Sequence, residues 1–313
     1  MKTVIMESLG ISQDKLEGLE APLAYQNMEF VHFDRTADIE KKKEEIRDAD
    51  AVILANMPLE AEVIEAAEKL KFIDIAFTGV NHVAVDTAKK KGIVLSNAAG
   101  YSTEAVAELG VGMVLSLYRK LRETEARCRK NGDKTGLIGM EIKGKTVGIV
   151  GYGAIGRRSG ELFHAFGAEI LANKKHKTDD IPDYVQICDL ETLLKNSDIV
   201  LLHCPLNKET EGLIGEAQLG MMKENAVLVN LARGPVVDQD ALIRALEDQK
   251  IAGACLDVFE KEPPLGEDPI IHAPATLLTP HIGFATQEAL DQRADIVFAN
   301  LDAWMKGRPE NLV

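Results

Sequence analysis

The chain has 313 residues, 46% of them hydrophobic and 27% charged, the make-up of an ordinary soluble globular protein long enough for two domains. Its formal charge of −14 argues against a general nucleic-acid or acidic-membrane surface, because either needs a basic face. No apolar run reaches the length of a membrane span, and Cys128, Cys188, Cys204 and Cys255 lack the spacing of a disulfide framework or a zinc site.

At its start, MKTVIMESLG lacks the long apolar stretch of a signal peptide and reads as a strand and turn, so a cytoplasmic protein is expected. Short apolar runs follow as TVIM (3–6), EFVHF (29–33), AVILA (51–55), FIDIAF (72–77) and IVL (93–95). Between them lie segments of helical period such as DIEKKKEEIRDA and LEAEVIEAAEKL. Strand and helix in alternation predict a parallel sheet covered by helices. The charge run Lys41–Glu45 is expected to be a solvated helix face, and the first turn, ESLGIS, carries no glycine motif. After the turn-like SNAAGY (96–101), Ser102, Thr103 and Glu104 open a helix to about Tyr118. The stretch from Arg119 to Lys134 keeps helical character until the loop signal NGDKTG.

The most informative segment is KTVGIVGYGAIGR, Lys145 to Arg157. A β-branched run ends in Gly151, Gly153 and Gly156, spaced G-x-G-x-x-G, and Ile155, Leu162, Phe163 and Phe166 then recur at helical spacing. Strand, tight turn and helix in this order form a dinucleotide site: one glycine turns the chain, one admits a pyrophosphate, and one lets helix and strand pack. The free N–H groups of the helix start then face the phosphates. Further runs, AEILA (168–172), DIVLLHC (198–204), AVLVN (226–230), IAGACLDV (251–258) and TLLT (276–279), predict a second unit of the same kind. Pro263, Pro264, Pro269, Pro274 and Pro280 mark a loop-rich stretch before a last helix, about Thr286 to Met305. The predicted fold class is α/β: two doubly wound parallel-sheet domains, Rossmann-like and flavodoxin-like, with a cleft between them where a small-molecule site would form.

Six ordered blocks carry a resemblance over almost the whole chain: GKTVGIVGYGAIG, SNAAGYSTEAVAEL (96–109), LHCPLNKET (202–210), VNLARGPVVD (229–238), LDVFEKEP (256–263) and TPHIGFAT (279–286). With them the chain resembles the D-isomer-specific 2-hydroxyacid dehydrogenases. NAAGYSTEAVAE and the C-terminal NLDAWMKGRPENLV are most similar to the glycerate dehydrogenase and hydroxypyruvate reductase branch. The resemblance implies a discontinuous substrate domain, residues 1–98 plus 285–313, around a dinucleotide-binding domain, residues 99–284. It also implies an interdomain role for the helix opening at Ser102, and a homodimer built in part by Arg119 to Met140.

Reducing a 2-keto acid requires a cation for its carboxylate, an acid for the developing alkoxide, and a group that keeps that acid protonated. Arg233, His281 and Glu262 stand where the family has its catalytic arginine, histidine and glutamate. A guanidinium forks onto a carboxylate and stays charged, an imidazole exchanges protons near neutrality, and a neighbouring carboxylate orients it and favours imidazolium. His203, His272 and His82 lack the P-H-x-G context and are not candidates for the acid. By the same resemblance, Thr78, Gly79 and Val80 bind the substrate carboxylate through backbone N–H groups, and Met57 lines the substrate pocket.

Cofactor contacts are implied at Gly151, Gly153, Ala154, Ile155 and Gly156, at His203, Cys204, Pro205 and Thr210, and at Leu231, Ala232 and Arg233. Asp257, which would receive the nicotinamide carboxamide, His281 and Gly283 complete the set. Two departures from the family pattern carry predictions. Lys174 stands at the end of the second strand, where an acid usually bonds the ribose 2′-OH. With Lys175, His176 or Lys177 it would attract a 2′-phosphate, so NADP or dual use is expected over strict NAD use. Met57 replaces a lysine common among glycerate dehydrogenases, which opens the alternative of a larger, more apolar 2-keto acid. The alternative from another class is a dinucleotide-sensing interaction protein of co-repressor type. Glu262 stands where formate-type dehydrogenases generally carry glutamine, which disfavours that branch.

Overall fold

The computed structural model describes residues 1–175 and 180–313. The chain divides into two compact units, Met1–Ser102 with Ala285–Val313, and Thr103–Phe284. The first begins β1 (Lys2–Ile5), α1 (Gln13–Ala24), β2 (Glu29–His32), α2 (Ile39–Ile46), β3 (Ala51–Leu54), α3 (Ala61–Ala66), β4 (Phe72–Ile75), α4 (Val85–Lys90) and β5 (Val94–Asn97). Its five strands are parallel in the order β2-β1-β3-β4-β5. Strands β3 and β4 are buried at every position and are apolar apart from Asp74, as strands covered on both faces must be, whereas the edge strand β2 is half exposed. Side-chain caps fix two of the helix starts: Ser12 accepts from the Lys15 amide, and Asp38 from those of Glu40 and Lys41.

The second unit contains α5 (Thr103–Tyr118), α6 (Leu121–Cys128), β6 (Thr146–Val150), α7 (Ala154–Ala165), β7 (Glu169–Asn173), β8 (Val185–Ile187), α8 (Leu190–Asn196), β9 (Ile199–Leu202) and α9 (Glu216–Leu219). It continues with β10 (Val227–Asn230), a 3₁₀ turn at Gly234–Val236, α10 (Gln239–Glu247), β11 (Gly253–Leu256), α11 (Pro269–His272) and β12 (Thr276–Leu278). The strands lie in the order β12-β11-β10-β9-β6-β7-β8, all parallel, so the winding direction reverses between β6 and β9. Alternate residues of these strands feed two cores. Val147, Ile149, Leu201 and Val229 pack with Val106 and Val114 of α5, while Val200, Leu202 and Leu228 pack with Leu194 of α8 and Leu242 of α10. A period of two along each strand therefore requires helices on both faces, which is the doubly wound arrangement. The last helix, α12 (Gln287–Met305), is capped by Thr286 and packs on β4 of the first unit.

One expectation needs correcting, and one strand was not predicted. The run Lys41–Glu45 is not simply solvated: Lys42 is 1% exposed and Glu45 5%. Burial of Lys42 is tolerated because its ammonium donates to Pro58 O at 2.8 Å and to both Glu60 carboxylate oxygens at 3.0 Å. Strand β8 has no counterpart among the predicted runs, because it is a three-residue edge strand with only Val185 buried and so leaves no apolar pattern to read.

Candidate active site

At the end of β6 the chain turns at Gly151, whose φ of +95° strains any side chain. A Cβ there would also lie 2.5 Å from the Cys204 amide nitrogen. At Gly156 a Cβ would stand 2.3 Å from the Gly151 carbonyl oxygen, so glycine is what allows α7 to close on β6. Gly153 differs: its Cβ position has no atom within 4 Å, and no side chain caps α7. Bare backbone facing open space at the positive end of a twelve-residue helix suits a pyrophosphate, so the residues present fit a dinucleotide, with Ala154 and Ile155 in the first turn.

Across the winding reversal, β9 runs into His203, whose amide donates to Val150 O at 2.8 Å. The His203 Nε2 lies 2.9 Å from the Ser159 hydroxyl on α7, and burial pushes its pKa down to about 4, so the ring is neutral. Cys204 is a buried free thiol. Thr210 folds the following loop back on itself, donating to Pro205 O at 2.6 Å and accepting from the Asn207 amide at 2.9 Å. Sequence reasoning missed Ser159, since a serine inside an amphipathic helix gives no sign of what it faces.

The catalytic candidates sit on loops at the carboxyl ends of β10, β11 and β12, the edge at which parallel sheets bind ligands. Asn230, 1% exposed, staples the first loop: its side chain accepts from the Ala232 amide and donates to Arg233 O, both at 3.0 Å. Leu231 and Ala232 are buried and Arg233 half buried, its Nη1 donating to Ala232 O at 2.7 Å. Gly234 next to it packs so closely that a Cβ would meet the Phe259 carbonyl at 2.0 Å.

Asp257 organises the last loop. Its carboxylate accepts from the Thr279 hydroxyl at 2.6 Å and from the Ile282 and Gly283 amides at 2.8 Å, and its carbonyl from the His281 amide at 2.8 Å. Burial raises the Asp257 pKa, against the pull of those donors. His281 is thereby held at φ +53°, with its ring edge-on to Phe284. Its Nδ1 lies 2.7 Å from Glu262 Oε2, while Glu262 Oε1 accepts from the Phe259 amide at 3.1 Å. Burial pushes the Glu262 pKa up, but the hydrogen bond and charge of His281, the Phe259 amide and the Arg233 guanidinium outweigh it and leave the group below its ordinary value. Arg233, Glu262 and His281 thus form one electrostatic group, in which the second ring nitrogen of His281, Nε2, is turned away from Glu262.

In the first unit, Thr78, Gly79 and Val80 follow β4. Thr78 is exposed, and the turn is held by Asn97, which donates to Thr78 O at 2.8 Å. Among the described residues the amides of these three donate to no acceptor, which suits a carboxylate. Met57 is different: its side chain has no accessible surface, and its amide donates to Glu7 at 2.7 Å. Lys174 directly follows β7 and is half buried, and Lys175 is ion-paired with Glu209. His176 and Lys177 lie outside the described residues.

Residues 111–283 match the family model for the NAD-binding domain of D-isomer-specific 2-hydroxyacid dehydrogenases. A glyoxylate reductase of Thermococcus litoralis is 39% identical over 282 residues, covering 86% of this chain and 85% of that protein. A hydroxypyruvate reductase of Blautia hydrogenotrophica is 34% identical, covering 100% of this chain and 99% of its own. Among solved structures, an acyclic imino acid reductase bound to NADPH and D-arginine superposes with a TM-score of 0.91 at 27% identity, each chain covered in full.

Proposed function

The chain belongs to the D-isomer-specific 2-hydroxyacid dehydrogenase family, and from that premise we propose which of its residues carry the reaction, on which acids and with which cofactor. It is an NAD(P)-dependent oxidoreductase that reduces small 2-keto acids to 2-hydroxy acids. Glyoxylate and hydroxypyruvate, the acids named in its relatives, are the first substrates to assign. The product has the D configuration. The alternative, a larger and more apolar acid, rests on Met57, whose side chain is fully buried.

The observation that carries the reading is the 2.7 Å contact between His281 Nδ1 and Glu262 Oε2, made on the same unit as the glycine turn. Glu262 orients the ring and stabilises its positive charge, so that Nε2 delivers a proton to the oxygen of the reacting carbonyl and takes it back in the reverse direction. Arg233 forks onto the substrate carboxylate and polarises the neighbouring carbonyl. On the first unit, the amides of Thr78, Gly79 and Val80 are donors suited to a carboxylate. Asp257 keeps His281 in place through the loop that it ties. Gly151 and Gly156 shape the β6–α7 turn and Gly153 leaves room for the dinucleotide, which when bound supplies the hydride.

Lys174 supports use of NADP, alone or beside NAD: a cation half buried at the end of β7 attracts a 2′-phosphate where an acid would repel one. The exposed Leu121, Ile138 and Met140 support a homodimer formed through 119–140, and four free cysteines suit a cytoplasmic protein. Steady-state kinetics with glyoxylate, hydroxypyruvate and pyruvate, each with NADH and NADPH, test the assignment. Turnover of at least one acid, with kcat/KM for NADPH equal to or above that for NADH, is expected. Lys174→Asp then shifts preference tenfold or more toward NADH. A strong NADH preference in the wild type overturns the cofactor reading, and no turnover of any acid overturns the substrate reading.

A further inference from the structure

At the carboxyl edge of the five-stranded sheet, the edge that also carries the Thr78–Val80 turn, lies a charged cluster for which the reduction of glyoxylate has no use. Glu7, just past β1, is 5% exposed. Its Oε1 accepts from the Ala55 and Met57 amides at 2.9 and 2.7 Å, which fixes the loop after β3. Its Oε2 accepts from Nη1 of Arg35, just past β2, at 2.7 Å, and the same nitrogen donates to the Asn56 side chain. Arg293 of α12, 4% exposed, donates to Leu9 O at 2.7 Å and also feels the Glu7 charge. Two guanidinium groups against one carboxylate leave the cluster net positive. Arg35 is its solvent-facing member, 52% exposed yet pinned at one nitrogen by two acceptors. Among the described residues its Nε and Nη2 donate to no acceptor.

We propose that Arg35, held by Glu7 and Asn56, recognises a second anionic group on the substrate, so that the enzyme prefers 2-keto acids ending in a carboxylate or phosphate. The proposal rests on the assignment of Thr78–Val80 as the seat of the first carboxylate. Strand spacing sets the scale. The guanidinium bridges residues that follow β1 and β3, one to two strands from β4, hence about 5 to 10 Å along the edge at about 4.8 Å per strand. A five-carbon 2-keto diacid has about 5 Å between its carboxyl carbons, given four bonds of about 1.5 Å each. With a hydrogen bond of about 3 Å at either end it spans that interval, whereas two-carbon glyoxylate stops short of it. An arginine immobilised beforehand by a buried carboxylate also loses little side-chain freedom when it binds the anion.

The test compares kcat/KM for 2-oxoglutarate, phosphorylated hydroxypyruvate and the neutral 2-oxopentanoate, in the wild type, Arg35→Gln and Arg35→Lys, with glyoxylate as a reference. In the wild type at least one of the two anionic acids should exceed 2-oxopentanoate tenfold or more, and which of them does so tells carboxylate from phosphate. Arg35→Gln should abolish that ratio, mainly through KM, and Arg35→Lys should recover part of it. If glyoxylate is reduced but neither anionic acid surpasses 2-oxopentanoate, or if Arg35→Gln leaves the ratio unchanged, the proposal is wrong and the catalytic assignment stands. Absence of turnover with every acid, glyoxylate included, defeats both.

Discussion

A non-glycine residue at φ +53° gives up about 1–2 kcal/mol relative to an ordinary backbone conformation, and His281 is held there by three contacts with fixed groups: its amide to Asp257 O, its flanking loop to the Asp257 carboxylate, and its ring to Glu262. On the proposed assignment, removing the ring removes the proton donor and leaves the glycine turn intact. His281→Ala should therefore lower kcat by about 10² to 10⁴-fold while cofactor still binds in a fluorescence titration. Unchanged turnover would place the acid elsewhere. Glu262 makes a separate prediction through pH. Its folded-state pKa lies below the ordinary 4.5, so its contribution to stability is complete above pH 4.5 and is lost as the pH falls through the depressed value. Unfolding midpoints between pH 6 and 3 should drop less steeply for Glu262→Gln than for the wild type.

The loops that carry the proposed catalytic residues are held from behind by the elements they join. Asp257, at the end of β11, accepts three hydrogen bonds from the 279–283 loop, and each such bond to a charged group contributes about 1.5–3 kcal/mol. Asp257→Ala should speed hydrogen exchange at the Ile282 and Gly283 amides and reduce kcat more than it weakens cofactor affinity. The joint between β9 and α7 behaves differently, because His203 is folded in as a neutral ring against Ser159. In the unfolded chain it takes up a proton near pH 6.5, and in the folded protein only near pH 4. Stability present above pH 6.5 is consequently lost as the pH drops toward 4, on the order of 2 kcal/mol by pH 5. His203→Asn, which does not titrate, should flatten denaturant unfolding across pH 7 to 5, and an identical slope in the two proteins would refute the assignment.

For the whole molecule, the segment from α6 onward makes the testable statement. No residue of α6 is buried, and Leu121, Ile138 and Met140 are 50%, 75% and 37% exposed. If these residues form the homodimer face, Ile138→Asp should convert the sedimenting species from two chains to one without loss of secondary structure. A wild type that sediments as one chain would dismiss the dimer.

Most of the fold, and the sequence blocks that carry Arg233, Glu262 and His281, were legible without coordinates. Buried parallel strands announce themselves as β-branched runs, because both of their faces are covered, and the β6–α7 turn by its glycine spacing, in which Gly151 and Gly156 fill places that no side chain fits. Among the described residues the strand that escaped, β8, is short and lies at an edge. Arg233, Glu262 and His281 were found by their blocks, but that Glu262 reaches His281 Nδ1, and that Asp257 turns its carboxylate on the loop carrying that histidine, follows from strand ends that adjoin only once the sheet is wound. The same holds for Met57, sealed by packing, for Lys42, buried within a run of charges, and for Glu7 and Arg35, 28 residues apart along the chain yet 2.7 Å apart in space. Local pattern reports which face of an element is apolar; which polar groups share an edge depends on the order in which the strands are laid down.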